Sequence, residues 1–274
     1  MEVDLFDEIQ RLRQAGRKAA LATIVQIKGS VPSFQTAKML VRDDGSALGS
    51  IGGGCVEAEV WTASQDVIRE EKSRVMSFDL TEDSMADSGL ICGGKLEIFI
   101  EPILPTPRMV IFGAGHISTQ LSKIAVIAGF KTTIVDNRPQ YANKERFPEA
   151  EAIHSDSFES SFERIVPNEN TYLIIVTRGH QEDESVLRWA VTTDARYIGM
   201  IGSKRKVRTI FQNLEKEGVS KERLERICAP VGLDIGAVLP EEIAVAIVAE
   251  AIHYRRVGFK HAISKKLLEM QSSR

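Results

Sequence analysis

From Met109 onward the chain alternates short apolar runs with amphipathic ones, and no other feature restricts its fold as much. Met109 to Phe112, Lys131 to Val135, Ala150 to His154, Thr171 to Thr177 and Tyr197 to Ile201 read as strands. His116 to Ala128, Glu182 to Val191 and Lys204 to Glu217 read as helices between them. Strands joined through a helix run parallel as a rule, so the pattern predicts a parallel sheet wound on both faces. Pro240-Glu241-Glu242 opens a last helix, with proline near its first position, acids in its first turn and Arg255-Arg256 at its end.

The upstream half reads differently. Leu5, Phe6, Ile9 and Leu12 recur at helical spacing, and Val56 to Glu70 reads as a second helix. Ala19 to Ile27, Arg74 to Leu80 and Lys95 to Glu101 read as strands, and Lys38 to Val41 with Ala47-Leu48 flank the hairpin turn Asp43-Asp44-Gly45. Three prolines between Glu101 and Arg108 mark a linker. The expected organisation is a small α+β domain over 1–101, a linker over 102–108, and a Rossmann-like doubly wound domain with C-terminal helices over 109–274.

With 43% hydrophobic and 27% charged residues and a net charge of −3, the composition is that of a soluble globular protein with no field suited to nucleic acid or an anionic membrane. The acidic start and the lack of a long apolar run predict a cytoplasmic chain. Three cysteines fit a reducing compartment and free thiols.

Two of those cysteines lie in glycine loops, Cys55 after Gly52-Gly53-Gly54 and Cys92 before Gly93-Gly94. Glycine lets a ligand come close to the backbone, and free N–H groups at a helix N-terminus, where Cys55 falls, favour a thiolate. Soft thiolates suit molybdenum–sulfur, copper(I) or iron–sulfur chemistry or persulfide carriage; the alternative is that both are small buried fillers. Cys228 reads as a core residue.

Gly113-Ala114-Gly115-His116-Ile117-Ser118 follows a strand and opens a helix. The first glycine would make the tight turn, the second would admit a pyrophosphate, and Ser118 would take the small third position. Asp136 ends the next strand, where an acid binds a ribose 2′-hydroxyl, so NAD is expected over NADP if a dinucleotide binds. Arg178, His180, Ser203, Lys204, Arg205 and Lys206 follow later strands and would face the same crevice. Ser203 would cap a helix while the three cations hold a phosphate, or the cations form a solvated face. His116 and His180 are candidates for acid–base catalysis or for neutral hydrogen bonding.

In this order the segments resemble the xanthine dehydrogenase accessory proteins, the XdhC/CoxI family. The resemblance rests on Gly29-Ser30-Val31-Pro32, Ala37 to Val41, Gly49 to Glu57, Asp87 to Gly94, Gly113 to His116, Thr177 to His180, Tyr197 to Val207, Ala229 to Gly236 and Pro240 to Ala244. The chain departs from the family where an arginine and a glycine are usual, at Ser33 and Thr36. The resemblance implies a homodimeric molybdenum-cofactor chaperone. It would hold the molybdopterin cargo between its domains during sulfuration and pass it to an apo-molybdenum hydroxylase such as xanthine dehydrogenase, with a cysteine desulfurase as sulfur donor. Cys55 and Cys92 would then contact the molybdenum or its sulfido ligand. The rival readings are an NAD-dependent oxidoreductase and a dinucleotide-sensing regulatory protein.

Overall fold

A computed structural model describes residues 4–31, 33–80 and 94–258. Cys92 and Gly93 lie outside the described residues. The chain divides into two compact units, 1–106 and 107–274.

The first unit is a five-stranded antiparallel sheet between two helices. Its elements are α1 (Leu5–Gln14), β1 (Ala19–Lys28), β2 (Lys38–Arg42), β3 (Ala47–Gly49), α2 (Gly54–Glu70), β4 (Arg74–Asp79) and β5 (Lys95–Ile103), with strand order β3-β2-β1-β5-β4. Side chains alternate across a strand, so each strand serves two cores. Ala20, Ala22, Ile24, Met39, Val41, Ile98 and Ile100 pack with Val56, Val60, Ala63 and Val67 of α2. The intervening Ala19, Leu21 and Leu40 pack with Leu12 of α1.

Strand β5 extends into the expected linker, because Pro102 pairs with Ala20 of β1 beyond Ile100, where β4 has ended. A one-sided position tolerates a residue without an N–H. Thr36 has φ of +75°, a left-handed conformation that a β-branched residue adopts at a penalty. A glycine there would adopt this conformation without that penalty. Thr36 is held there by its N–H to Ile24 O, 3.0 Å, beside a register shift in β1 between Ile24 and Gln26.

The second unit is a six-stranded parallel sheet. Its elements are β6 (Arg108–Phe112), α3 (His116–Ile127), β7 (Lys131–Val135), β8 (Ala152–His154), α4 (Phe158–Phe162), β9 (Thr171–Ile175), α5 (His180–Ala190), β10 (Tyr197–Met200), α6 (Lys204–Lys216), α7 (Lys221–Glu225), β11 (Ile227–Cys228) and α8 (Pro240–Val257). Met109, Ile111, Tyr172 and Ile174 face α3 and α8, whereas Val110, Phe112, Leu173 and Ile175 face α5 and α6. The sheet is thus covered on both faces, which is why its strands read as continuous apolar runs. Cys228 is buried, 3% exposed. The order β11-β10-β9-β6-β7-β8 reverses between β6 and β9. In sheets of this kind ligands bind beyond the carboxyl ends of the strands at that reversal.

Candidate functional site

In the first unit the site candidate is the loop entering α2. Gly52, Gly53 and Gly54 have φ of +119°, +78° and +68°, a succession that side chains would not sustain. Ile51 and Val56 anchor the two ends of the loop in the core. Glu57, which the sequence reading did not single out, buckles it. One carboxylate oxygen, Oε2, accepts from Ser50 Oγ at 2.6 Å, Gly53 N at 3.1 Å and Ile51 N at 3.2 Å, while Ser50 Oγ accepts from Gly52 N at 3.1 Å. The Ser50 hydroxyl and these backbone N–H groups hold the Glu57 carboxyl below its usual range against a smaller opposing effect of burial. The loop is ordered from within, and Cys55 is presented exposed in the first turn of α2. A side chain at Gly53 would meet nothing within 4 Å, so the loop faces open space.

Gly94 is closely packed. A Cβ there would stand 2.6 Å from Val31 Cγ1 and 2.8 Å from both Lys28 O and Ser30 O, so this glycine serves close packing.

In the second unit the sheet gathers the remaining candidates at one edge. Phe112 is in register with Ile175 and with Val135, and Ile175 with Met200, so the loops after β6, β7, β9 and β10 are neighbours. Gly113, at φ +107°, is required because a Cβ would lie 2.4 Å from Val176 O. Gly115 is the opposite case: a Cβ would meet nothing within 4 Å, leaving room for a ligand against the backbone. Gly115 caps α3 and Gly179 caps α5, neither with a side-chain hydrogen bond, so both helices present uncapped N–H groups. His116 and His180 are the first residues of these helices, and both are exposed. Arg178 is exposed and pairs with Glu182 at 3.5 Å.

Several of the candidate side chains are buried or held by partners within the unit. Ser118 is fully buried on the face of α3 turned to the core, where it packs as the small third residue of the turn. Lys206 turns inward and pairs with Asp183, which is 0% exposed and also accepts from Thr177 Oγ1 at 2.5 Å and Thr177 N at 3.2 Å. Burial pushes the Asp183 carboxyl up, and Lys206 and Thr177 only partly offset it. Ser203 caps α6 by accepting from Lys206 N, and Lys204 and Arg205 remain exposed.

Asp136 is 2% exposed and its carboxylate is fully engaged. Oδ2 accepts from Ala114 N at 2.8 Å and Arg138 Nη2 at 2.7 Å; Oδ1 accepts from Arg138 Nε at 2.8 Å and Arg138 N at 3.0 Å. A carboxylate offers about four acceptor positions, and all are taken. Burial raises the Asp136 carboxyl, but these donors outweigh it and leave the group below its usual range. The residue locks the glycine turn onto β7. It accepts from a ribose hydroxyl only by giving up Arg138 or Ala114.

Behind this edge, Glu250 Oε2 accepts from Gly232 N at 2.8 Å and from the buried Tyr197 hydroxyl at 2.5 Å, tying down the Ala229-to-Gly236 segment. Among the described residues no group of three or more His, Cys, Asp or Glu stands close enough to hold a metal ion, and no helix is long and apolar enough to cross a membrane.

Comparison with known proteins gives a consistent result. The XdhC Rossmann domain model matches residues 109–251, and the XdhC and CoxI family model matches residues 12–79. The protein YqeB of Escherichia coli is 32% identical over 92% of this chain, which spans only 46% of that protein's length. A probable xanthine dehydrogenase subunit of Bacillus subtilis is 24% identical over 90% of this chain and 96% of its own. The molybdenum cofactor insertion chaperone PaoD of Escherichia coli is 22% identical over 88% of this chain and 85% of its own. The crystal structure of a xanthine dehydrogenase from Bacillus halodurans shares the fold, with a TM-score of 0.52, 24% identity, and coverage of 93% of this chain and 96% of that one.

Proposed function

The chain belongs to the XdhC and CoxI family, and we propose that it is an accessory protein that binds molybdenum cofactor as cargo and delivers it to an apo-molybdenum hydroxylase. The observation that supports this reading best is the presentation of Cys55: an exposed thiol at the first turn of α2, on a glycine loop that Glu57 holds in shape. A soft donor kept at the surface suits a dithiolene-bound molybdenum and its labile sulfur, which oxygen and nitrogen ligands serve less well. Taken by itself, the second unit has open space at Gly115 and uncapped starts of α3 and α5, which suit an anionic group, and Lys204 and Arg205 are exposed at the start of α6.

In this reading the protein acts in the cytoplasm as a homodimer. It shields the cofactor while a cysteine desulfurase supplies sulfur, and it carries out no turnover of its own. Cys92 is the proposed second thiol. The test is anaerobic gel filtration of the reduced protein with released cofactor, followed by a molybdenum assay of the protein peak. Cys55→Ala combined with Cys92→Ala is expected to stay folded and to lose most of the retained molybdenum. Undiminished retention in that folded variant would remove the thiols from the account.

A further inference from the structure

The saturated carboxylate of Asp136 leaves a different kind of group facing the ligand edge. We infer that the loop after β7 receives a phosphate monoester, and not the ribose diol that an acid at the end of this strand ordinarily holds. The loop is well fixed. Arg138 O accepts from Tyr141 N at 2.9 Å and Ala142 N at 3.0 Å, and Ala142 and Phe147 are buried in the core beneath. That turn places the Tyr141 ring under the Arg138 guanidinium, 4.2 Å from the ring centroid, and Arg146 lies over the same ring at 4.9 Å.

Two guanidinium groups are therefore held against one phenol ring. Arg138 spends Nε and Nη2 on Asp136, leaves Nη1 without a partner among the described residues, and keeps 19% of its side chain exposed. Arg146 has no carboxylate partner among the described residues. The carboxylates that act on Arg138 are Asp136, already neutralised by the bidentate pair, and Glu182, which also pairs with Arg178. The edge thus carries Arg138, Arg146 and Arg178, with Glu182 paired to Arg178.

Guanidinium groups bind phosphate through paired N–H donors, whereas a diol needs an acceptor, and the acceptor here is used up. The turn that would hold the rest of such a ligand lies on the other side of the same carboxylate, since Asp136 bonds Ala114 N. The Rossmann unit is accordingly suited to a ligand with a phosphate monoester at one end. Two sources share that chemistry: the 2′-phosphate of a dinucleotide and the phosphorylated side chain of a pterin. Only the second touches the cargo proposed above, and the first is independent of it.

Calorimetric titration of the full chain tests this with paired ligands, NADP+ against NAD+, and a phosphorylated pterin against its dephosphorylated counterpart. In at least one pair the phosphorylated member is expected to bind about tenfold tighter or more. Arg146→Ala should abolish that preference while leaving the unphosphorylated member unchanged. Arg138→Ala should lower the phosphorylated member and, by releasing Asp136, raise NAD+. If Arg138→Ala fails to fold, Arg146→Ala decides alone. A preference in the first pair identifies the ribose phosphate, and in the second the pterin phosphate. Equal binding within both pairs, a preference that survives Arg146→Ala, or no binding by any of these ligands would overturn the inference.

Discussion

Replacing Glu57 by glutamine tests whether the α2 loop is held by the charge on that side chain or simply by its glycines. Oε2 accepts three hydrogen bonds, from Ser50 Oγ, Ile51 N and Gly53 N. A hydrogen bond to a charged group is worth about 1.5–3 kcal/mol when shielded and less where solvent competes, as it does at this half-buried position. Glutamine keeps an acceptor but loses the charge, so Glu57→Gln should destabilise the unit by about 1 kcal/mol and Glu57→Ala by about 2 kcal/mol. The sharper readout is amide exchange. The N–H groups of Ile51, Gly52 and Gly53 all bond Glu57 or Ser50, and their exchange should accelerate about five- to tenfold in Glu57→Gln while the α2 interior is unchanged. The pH dependence has a definite sign. The folded-state carboxyl lies below its unfolded value, so its contribution is full above the unfolded value and is lost as pH falls through the folded one. The difference between wild type and variant should therefore vanish on acidification. Unchanged exchange at Ile51 to Gly53 in a folded Glu57→Gln protein would refute the buckle.

Other variants separate struts from surface groups. Lys206→Ala strands the fully buried Asp183 carboxylate and should destabilise by about 2–3 kcal/mol in urea, whereas Lys204→Ala should fall within about 0.5 kcal/mol of wild type. Thr36→Gly relieves a left-handed threonine, about 1–2 kcal/mol, and concedes about 0.5–1 kcal/mol of chain entropy, so it should raise the urea midpoint slightly. Glu8 is drawn down to about 2 by hydrogen bonds from Arg11 and Arg42, so its stabilising effect should persist to low pH and fade between its usual value of 4.5 and about 2. Thermal midpoints of Glu8→Gln and wild type should converge across that window.

Hydrophobic periodicity made most of the architecture legible. Strands β6, β7, β9 and β10 and helices α3, α6 and α8 follow the alternation of apolar and amphipathic runs because the sheet is buried on both faces. The short α4, α7 and β11 have no such signal, since five helical residues or two strand residues do not repeat a period; only the caps Ser157 and Ser220 announce the two helices. At the candidate site the spacing of residues locates the loops, but not which side chains are tied up by tertiary partners. An acid at the end of the second strand has the same spacing whether it meets a ribose or an arginine, and the distinguishing residue, Arg138, was two positions away. Lys206 looked like a free cation because its partner Asp183 is brought to it by tertiary packing. The burial of Ser118 and the close packing at Gly94 come from tertiary neighbours that no local pattern records.

The accessory reading is tested most directly by delivery. The protein is loaded anaerobically with released molybdenum cofactor, freed of excess cofactor by gel filtration, and added to an apo-molybdenum hydroxylase. The account predicts near-stoichiometric pterin and molybdenum in the protein peak and hydroxylase activity that rises in proportion to the loaded protein. Cofactor eluting entirely with small molecules, and activation of the apo-enzyme by free cofactor that the protein neither carries nor improves, would contradict it.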